Sequence, residues 1–223
     1  MSHLLTLQTR QRLTPDTQAY TFTRPEGLSF APGEATELSL LREGWRDKGR
    51  PFTFTSLPDA PEIQFVIKSY DDHDGVTRQM ASLSSGEMAL VTEPFGALQD
   101  QGPGTFLAAG AGITPFLAIL RNRAAGQRLD GSRLIYTNKT TSDIILRDEL
   151  SSMPGLTTHF TVTDEEDAPV ETARIDKDWL ADRLEDVSGR FYLCGPPGFV
   201  DAMRDALRSL GAAGDQIQTE DGW

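Results

Sequence analysis

The chain has 223 residues, of which 38% are hydrophobic and 24% charged, a globular composition with volume for one large or two modest domains. Its net charge of −12 and lack of a basic stripe exclude broad nucleic-acid binding. A single cysteine, Cys194, excludes an internal disulfide and a resident iron–sulfur cluster, and the scattered His3, His73 and His159 argue against a bound metal. The acidic excess suits either a well-solvated surface or a salty cytoplasm.

The N-terminus lacks the basic start and apolar core of a signal peptide, and no apolar run approaches the ~20 residues of a membrane span. The sequence therefore predicts a soluble, cytoplasmic protein. Up to about residue 100, short alternating segments dominate. Tyr20 and Phe22 share one strand face, Leu38 and Leu40 another, and Ile63, Phe65 and Ile67 alternate with Gln64, Val66 and Lys68. Turn signals at Pro25, Pro32-Gly33, Pro58 and Gly86 separate these runs, which predicts a small antiparallel barrel over 1–100. One short helix interrupts it, from about Val76 to Leu83.

The pattern changes near Gln101-Gly102-Pro103-Gly104. Over 101–223 strands are predicted at 105–109, 133–137, 157–163, 190–194 and 216–220. Helices are predicted at 115–125, 176–185 and 198–210. Such alternation predicts a parallel sheet covered on both faces, an α/β domain of Rossmann-like type. The acidic stretch Asp164-Glu165-Glu166-Asp167 reads as an exposed loop.

The first of these strands runs into Gly110-Ala111-Gly112-Ile113-Thr114-Pro115. Thr114 is suited to N-cap the following helix and Pro115 to its first turn. Free N–H groups and the helix dipole then favour an anion, and Gly110 and Gly112 allow close approach of a pyrophosphate. A plain strand–helix turn has the same glycine requirement. At the end of the next strand, Asn138 suits a ribose hydroxyl and Lys139 suits either a 2′-phosphate or solvent, so both NADH and NADPH are compatible.

Two further segments complete a pattern: Arg50-Pro51-Phe52-Thr53-Phe54-Thr55-Ser56 upstream, and Cys194-Gly195-Pro196-Pro197-Gly198 near the C-terminus. In this order the three segments resemble the ferredoxin–NADP reductase family of flavoproteins, over essentially the whole chain. The resemblance implies a barrel that binds FAD and an α/β domain that binds the pyridine nucleotide. It implies that Arg50 pairs with the flavin phosphate, that Phe52 stacks on the isoalloxazine ring, and that Thr53 hydrogen-bonds near flavin N5. Pro51, Val66 and Lys68 join them, and Gly75, Val76 and Thr77 lead a short helix toward the pyrophosphate. Phe52 replaces the family's commoner tyrosine, which keeps the stacking surface and loses a hydroxyl.

By the same resemblance Cys194, Gly195 and Pro196 form the mouth of the nicotinamide pocket. A small buried residue closing a strand is the plainer reading of Cys194. Glu220 is implied in proton organisation near Thr53, and Trp223 as a cover on the flavin face opposite Phe52. The implied reaction passes a hydride from NAD(P)H to FAD, then electrons to a ferredoxin, a flavodoxin or an oxygenase component. A reductase using flavin as substrate, and a noncatalytic electron-transfer subunit, are the alternatives.

Overall fold

A computed structural model describes residues 2–70, 75–96 and 98–220. The first sheet is antiparallel. It contains β1 (Ser2–Arg12), β2 (Thr17–Thr23), β3 (Glu34–Leu40), β4 (Arg50–Thr53), β5 (Glu62–Lys68), β6 (Met88–Thr92) and β7 (Phe95–Gly96). The strand order is β4-β3-β6-β1-β2-β5, with β7 added to β3. The two end strands approach where the N–H of Thr55 donates to the Gln64 carbonyl at 2.9 Å, so the sheet nearly closes into the expected barrel. Alternation explains its core. Leu5, Leu7, Tyr20, Phe22, Ile63, Phe65 and Ile67 point inward, and Phe30 stacks on Phe54 with ring centroids 4.2 Å apart.

Helix α1 (Val76–Met80) is shorter than the predicted 76–83. It spans little more than one turn and is held by the burial of Val76 and Met80 in the barrel core.

The second sheet is parallel. It contains β8 (Gly104–Ala109), β9 (Ser132–Asn138), β10 (Leu156–Val162), β11 (Glu171–Thr172), β12 (Arg190–Cys194) and β13 (Ile217–Thr219) in the order β11-β10-β9-β8-β12-β13. Helix α2 (Thr114–Ala125) covers one face; α4 (Lys177–Ala181) and α5 (Pro197–Ser209) cover the other. The predicted helix at 176–185 ends early, since Asp182, Glu185 and Asp186 oppose the dipole at its C-terminus. Its start is capped by Asp176, which accepts from the Trp179 N–H at 2.8 Å. Helix α3 (Arg147–Ser151), β1 and β11 carry no clear sequence signal and were not predicted.

The connection between the sheets is tied down. Tyr192 stacks on Phe106 at 4.4 Å, and its hydroxyl donates to the Gly102 carbonyl at 2.9 Å. Arg123, almost fully buried, pairs with Asp100 at 2.9 Å. The cores also touch: Ala19 and Val66 on the outer barrel face pack in one cluster with Ile113, Phe116 and Leu117. Val66 stands where alternation calls for a polar residue because α2 covers that face.

Candidate active site

The nucleotide turn is built from β8 outward. The chain leaves the strand at Gly110, where φ is +55°, and makes one 3₁₀ turn over Gly110–Ile113 before α2 begins. Thr114 is therefore not the N-cap. It already has helical angles, φ −60° and ψ −43°, and its hydroxyl donates back to the Ala111 carbonyl at 3.0 Å. The extra turn displaces the helix start, and Pro115 sits in the first turn as expected. Tyr136 reaches over from β9 and donates to the Gly110 carbonyl at 2.9 Å. Burial holds that phenol well above the usual tyrosine range, so it remains a donor at all ordinary pH.

Gly112 has a structural requirement beside the one read in the sequence. A Cβ there lies 2.3 Å from the Cys194 carbonyl oxygen and 2.5 Å from the Gly195 nitrogen. The glycine lets two ligand-binding turns, on adjacent strands β8 and β12, close against each other. Strand order reverses at β8, so the crevice beyond these two carboxyl ends is the topological switch point.

The crevice opens into a cleft of about 230 Å³ between the two sheets. Pro51, Phe52, Thr53, Val66, Lys68 and Thr77 line it from the barrel; Ala111, Thr114 and Glu220 line it from the α/β side. Ala35, Ile67 and Tyr70 also line it, without a motif to announce them. The other expected residues fall around or away from this wall. Arg50 is exposed at the start of β4 and donates to the Gly49 carbonyl at 2.8 Å. Gly75 precedes α1, and the Val76 side chain enters the barrel core. Pro196 caps α5. Lys68 is paired with Asp16 at 2.8 Å. Burial raises the Asp16 carboxyl, and the hydrogen bond and charge of Lys68 outweigh it to leave the group below its ordinary value. His73 and Trp223 lie outside the described residues.

At the α/β end of the cleft, Cys194 Sγ lies 3.4 Å from Glu220 Oε2. Burial, then the adjacent carboxylate, pushes the Cys194 thiol far up. It is a neutral thiol and not a nucleophilic thiolate. Burial also raises Glu220.

A second cleft of about 650 Å³ lies at the carboxyl ends of β9 and β10, lined in part by Thr137, Asp164, Arg174, Phe199 and Met203. The acidic loop is largely exposed as expected, and its first residue, Asp164, lines this cleft. The Asp164 N–H donates to the Lys139 carbonyl at 2.9 Å. Lys139 is exposed, whereas Asn138 ends β9 inside the sheet, only 7% exposed. Asn138 thus stands within the strand and not past its end, because β9 runs one residue further at its carboxyl end than predicted. Among the described residues, no group of three or more His, Cys, Asp or Glu is placed to hold a metal, and no helix is long and apolar enough to cross a membrane.

A barrel and a parallel sheet thus share one cleft at a switch point, where open α/β sheets bind their ligands. A family model described as an oxidoreductase NAD-binding domain matches residues 106–205. The chain is 30% identical to NADH-cytochrome b5 reductase 1 of Aspergillus terreus, over 84% of this chain and 70% of that protein. It is 28% identical to the reductase component of propane 2-monooxygenase of Rhodococcus jostii, over 86% of this chain and 55% of that one. Among solved structures, a ferredoxin NADP+ reductase from Neisseria gonorrhoeae with bound FAD and NADP shares the fold, with a TM-score of 0.87 at 22% identity, over 100% and 99% of the two chains. The chain belongs to the ferredoxin–NADP reductase family of FAD-binding oxidoreductases. It spans little more than half the length of several curated relatives, 55% and 57% for two of them.

Proposed function

We propose that this chain is a reductase module that binds FAD and takes a hydride from a pyridine nucleotide, then delivers electrons to a separate one-electron carrier or oxygenase component. The supporting observation is the shared cleft: Phe52, Thr53 and Thr77 on one wall, Ala111 and Thr114 on the other, with Cys194 and Glu220 at its end. The lining fits FAD chemically. An aromatic ring and the aliphatic Ala35 and Val66 offer a surface for a flat ring, and threonine hydroxyls offer hydrogen bonds; outside the lining, the exposed Arg50 offers positive charge for phosphates, while Lys68 in the wall is already paired with Asp16. Bound there, FAD supplies the hydride acceptor.

The protein's part is placement. In this reading Phe52 and Val66 hold a ring between them, Thr53 donates to it, and Gly75, Val76 and Thr77 present backbone and hydroxyl groups to phosphate. The turn Gly110–Thr114 receives the nucleotide pyrophosphate, with Pro115 fixing the helix direction behind it. Cys194, Gly195 and Pro196 bound the nicotinamide, and Glu220 holds a proton beside it. Asn138 and Lys139 belong to the nucleotide's adenosine end. The proposal also places the domain boundary at 100/101 and the protein in the cytoplasm.

The test is direct. Purified protein should carry or rebind FAD, identified by chromatography after heat release. NADH should bleach the flavin in anaerobic stopped flow. Retention of FMN instead removes the adenine site from the reading. Protein that binds no flavin overturns it.

The second cleft bears on nucleotide choice. Its wall carries Asp164, the first of four consecutive acids in the chain, beside Arg174. An acid there favours a ribose hydroxyl over a 2′-phosphate, so NADH is the expected donor. Asp164→Asn should narrow the preference for NADH by about tenfold in kcat/KM, roughly 1.4 kcal/mol. An unchanged ratio of the two nucleotides places the discrimination elsewhere.

A further inference from the structure

A charged contact joins the two halves of the chain near the cleft. Arg121 lies two turns into α2, with its side chain 19% exposed. Its Nε and Nη2 fork onto the carboxylate of Glu149 in α3 at 2.5 and 2.8 Å. The fork fixes the plane of the guanidinium and turns Nη1 toward the barrel. There Nη1 donates to the Thr55 carbonyl at 2.6 Å and to Gln64 Oε1 at 2.9 Å. Thr55 is fully buried and is held by Gln64 in turn: its N–H donates to the Gln64 carbonyl at 2.9 Å and its hydroxyl to Gln64 Oε1 at 3.2 Å.

The positions of these groups along the chain give the contact its meaning. Thr55 stands two residues after Thr53, and α2 starts at Thr114; Thr53 and Thr114 face each other across the cleft. Near this seam Ala19 and Val66 also pack against α2 through apolar contact. Apolar contact holds surfaces together but is non-directional, so it leaves sliding and rotation weakly opposed. Hydrogen bonds from a rigid planar fork oppose both.

We propose that Arg121 is a positioning residue, which sets the separation of the nucleotide turn from the Phe52-Thr53 strand and so the distance a hydride must cross. The inference rests on the flavin-reductase reading above. Hydride transfer needs reacting atoms about 3–3.5 Å apart, and a displacement of about 1 Å is enough to cost on the order of a hundredfold in rate. Removal of the guanidinium should loosen the seam without unfolding either half. Glu149 is 35% exposed and can be hydrated, while Thr55 and Gln64 keep their bonds to each other. Lysine keeps the charge but cannot fork onto Glu149 and reach Thr55 at once.

The experiment compares wild type with Arg121→Gln, Arg121→Lys and Gln64→Ala. FAD content and NADH affinity should stay within about threefold of wild type. Reduction at saturating NADH should slow by roughly 30- to 100-fold in both Arg121 variants. The long-wavelength charge-transfer absorbance of the nucleotide complex should weaken, because it needs overlap of the two rings. In the flavin-free protein, amide exchange should quicken at 52–55 and 114–117 together. A merely stabilising role lowers the melting temperature and moves none of these readouts in folded protein. Wild-type reduction rates and exchange in the variants overturn the inference. If Arg121→Gln fails to fold, Gln64→Ala removes one of the two barrel acceptors, leaves the Thr55 hydroxyl its bond to the Gln64 carbonyl at 3.1 Å, and is held to the same readouts. Wild-type protein that binds FAD yet is reduced by neither nucleotide overturns the underlying reading as well. Normal wild-type reduction with unchanged variants overturns this inference alone.

Discussion

Gly112→Ala is expected to cut flavin reduction by NADH on the order of a hundredfold and to destabilise the fold by about 1–3 kcal/mol. The added methyl has no free volume. It meets the Cys194 carbonyl oxygen at 2.3 Å and the Gly195 nitrogen at 2.5 Å, both backbone atoms with no rotamer to move out of the way. Relief requires β8 and β12 to separate at their carboxyl ends, where the nucleotide turn and the Cys194 turn meet. Gly110→Ala is a useful contrast. Its methyl meets nothing within 4 Å, and the cost is only that of a φ of +55° for an L-residue. Stopped-flow reduction, nucleotide affinity and thermal melting separate the two cases. Equal, small effects at both positions would show that the two turns are not in rigid contact.

Cys194→Ser should slow hydride transfer by one to two orders of magnitude, roughly 1.4–2.8 kcal/mol of barrier, with flavin content unchanged. The thiol is buried, uncharged and 3.4 Å from Glu220. Serine is smaller and more polar, so it alters both the shape of the pocket and the proton shared with the carboxyl. Unchanged kinetics would reduce Cys194 to a filler at the strand end. Glu220 gives a companion test. Burial raises its folded-state pKa above the ordinary value of 4.5, so the native chain keeps a proton that the unfolded chain has lost. Stability is then fully present below that ordinary value and falls as pH rises through the raised one. Glu220→Gln should flatten this part of the melting-temperature profile of the flavin-free protein while slowing reduction. A profile unaltered by the substitution would place the carboxyl in water.

By itself the sequence determined the class of each half. Two-residue alternation at Ile63, Phe65 and Ile67, cut by Pro and Gly, specifies a sheet with one buried face. The strand–glycine–helix run at 105–125 specifies a parallel crossover with its ligand end marked. These are local signals, set by backbone period and by which residues tolerate a turn, so they survive without knowledge of the partner surface. Gly110 to Pro115 stood out as a turn for the same reason, whereas Arg50 to Thr53 and Cys194 to Pro196 stood out through their resemblance to a family pattern.

The tertiary structure decided what each of these residues touches. Thr114 moved from cap to helix because an unforeseen 3₁₀ turn intervened, and Asn138 moved inside the sheet because β9 extends one residue further. Val66 is buried because a helix from the other half of the chain lies on it. Gly112 is required by Cys194, more than eighty residues away, and Arg121 meets Thr55 and Gln64 across the seam. The acidic loop was visible as acidic and exposed, yet only the arrangement of β9 and β10 puts its first residue, Asp164, in the wall of a cleft. Contacts between residues far apart in sequence depend on the packing of whole elements, and no periodicity or turn chemistry within a short window encodes them.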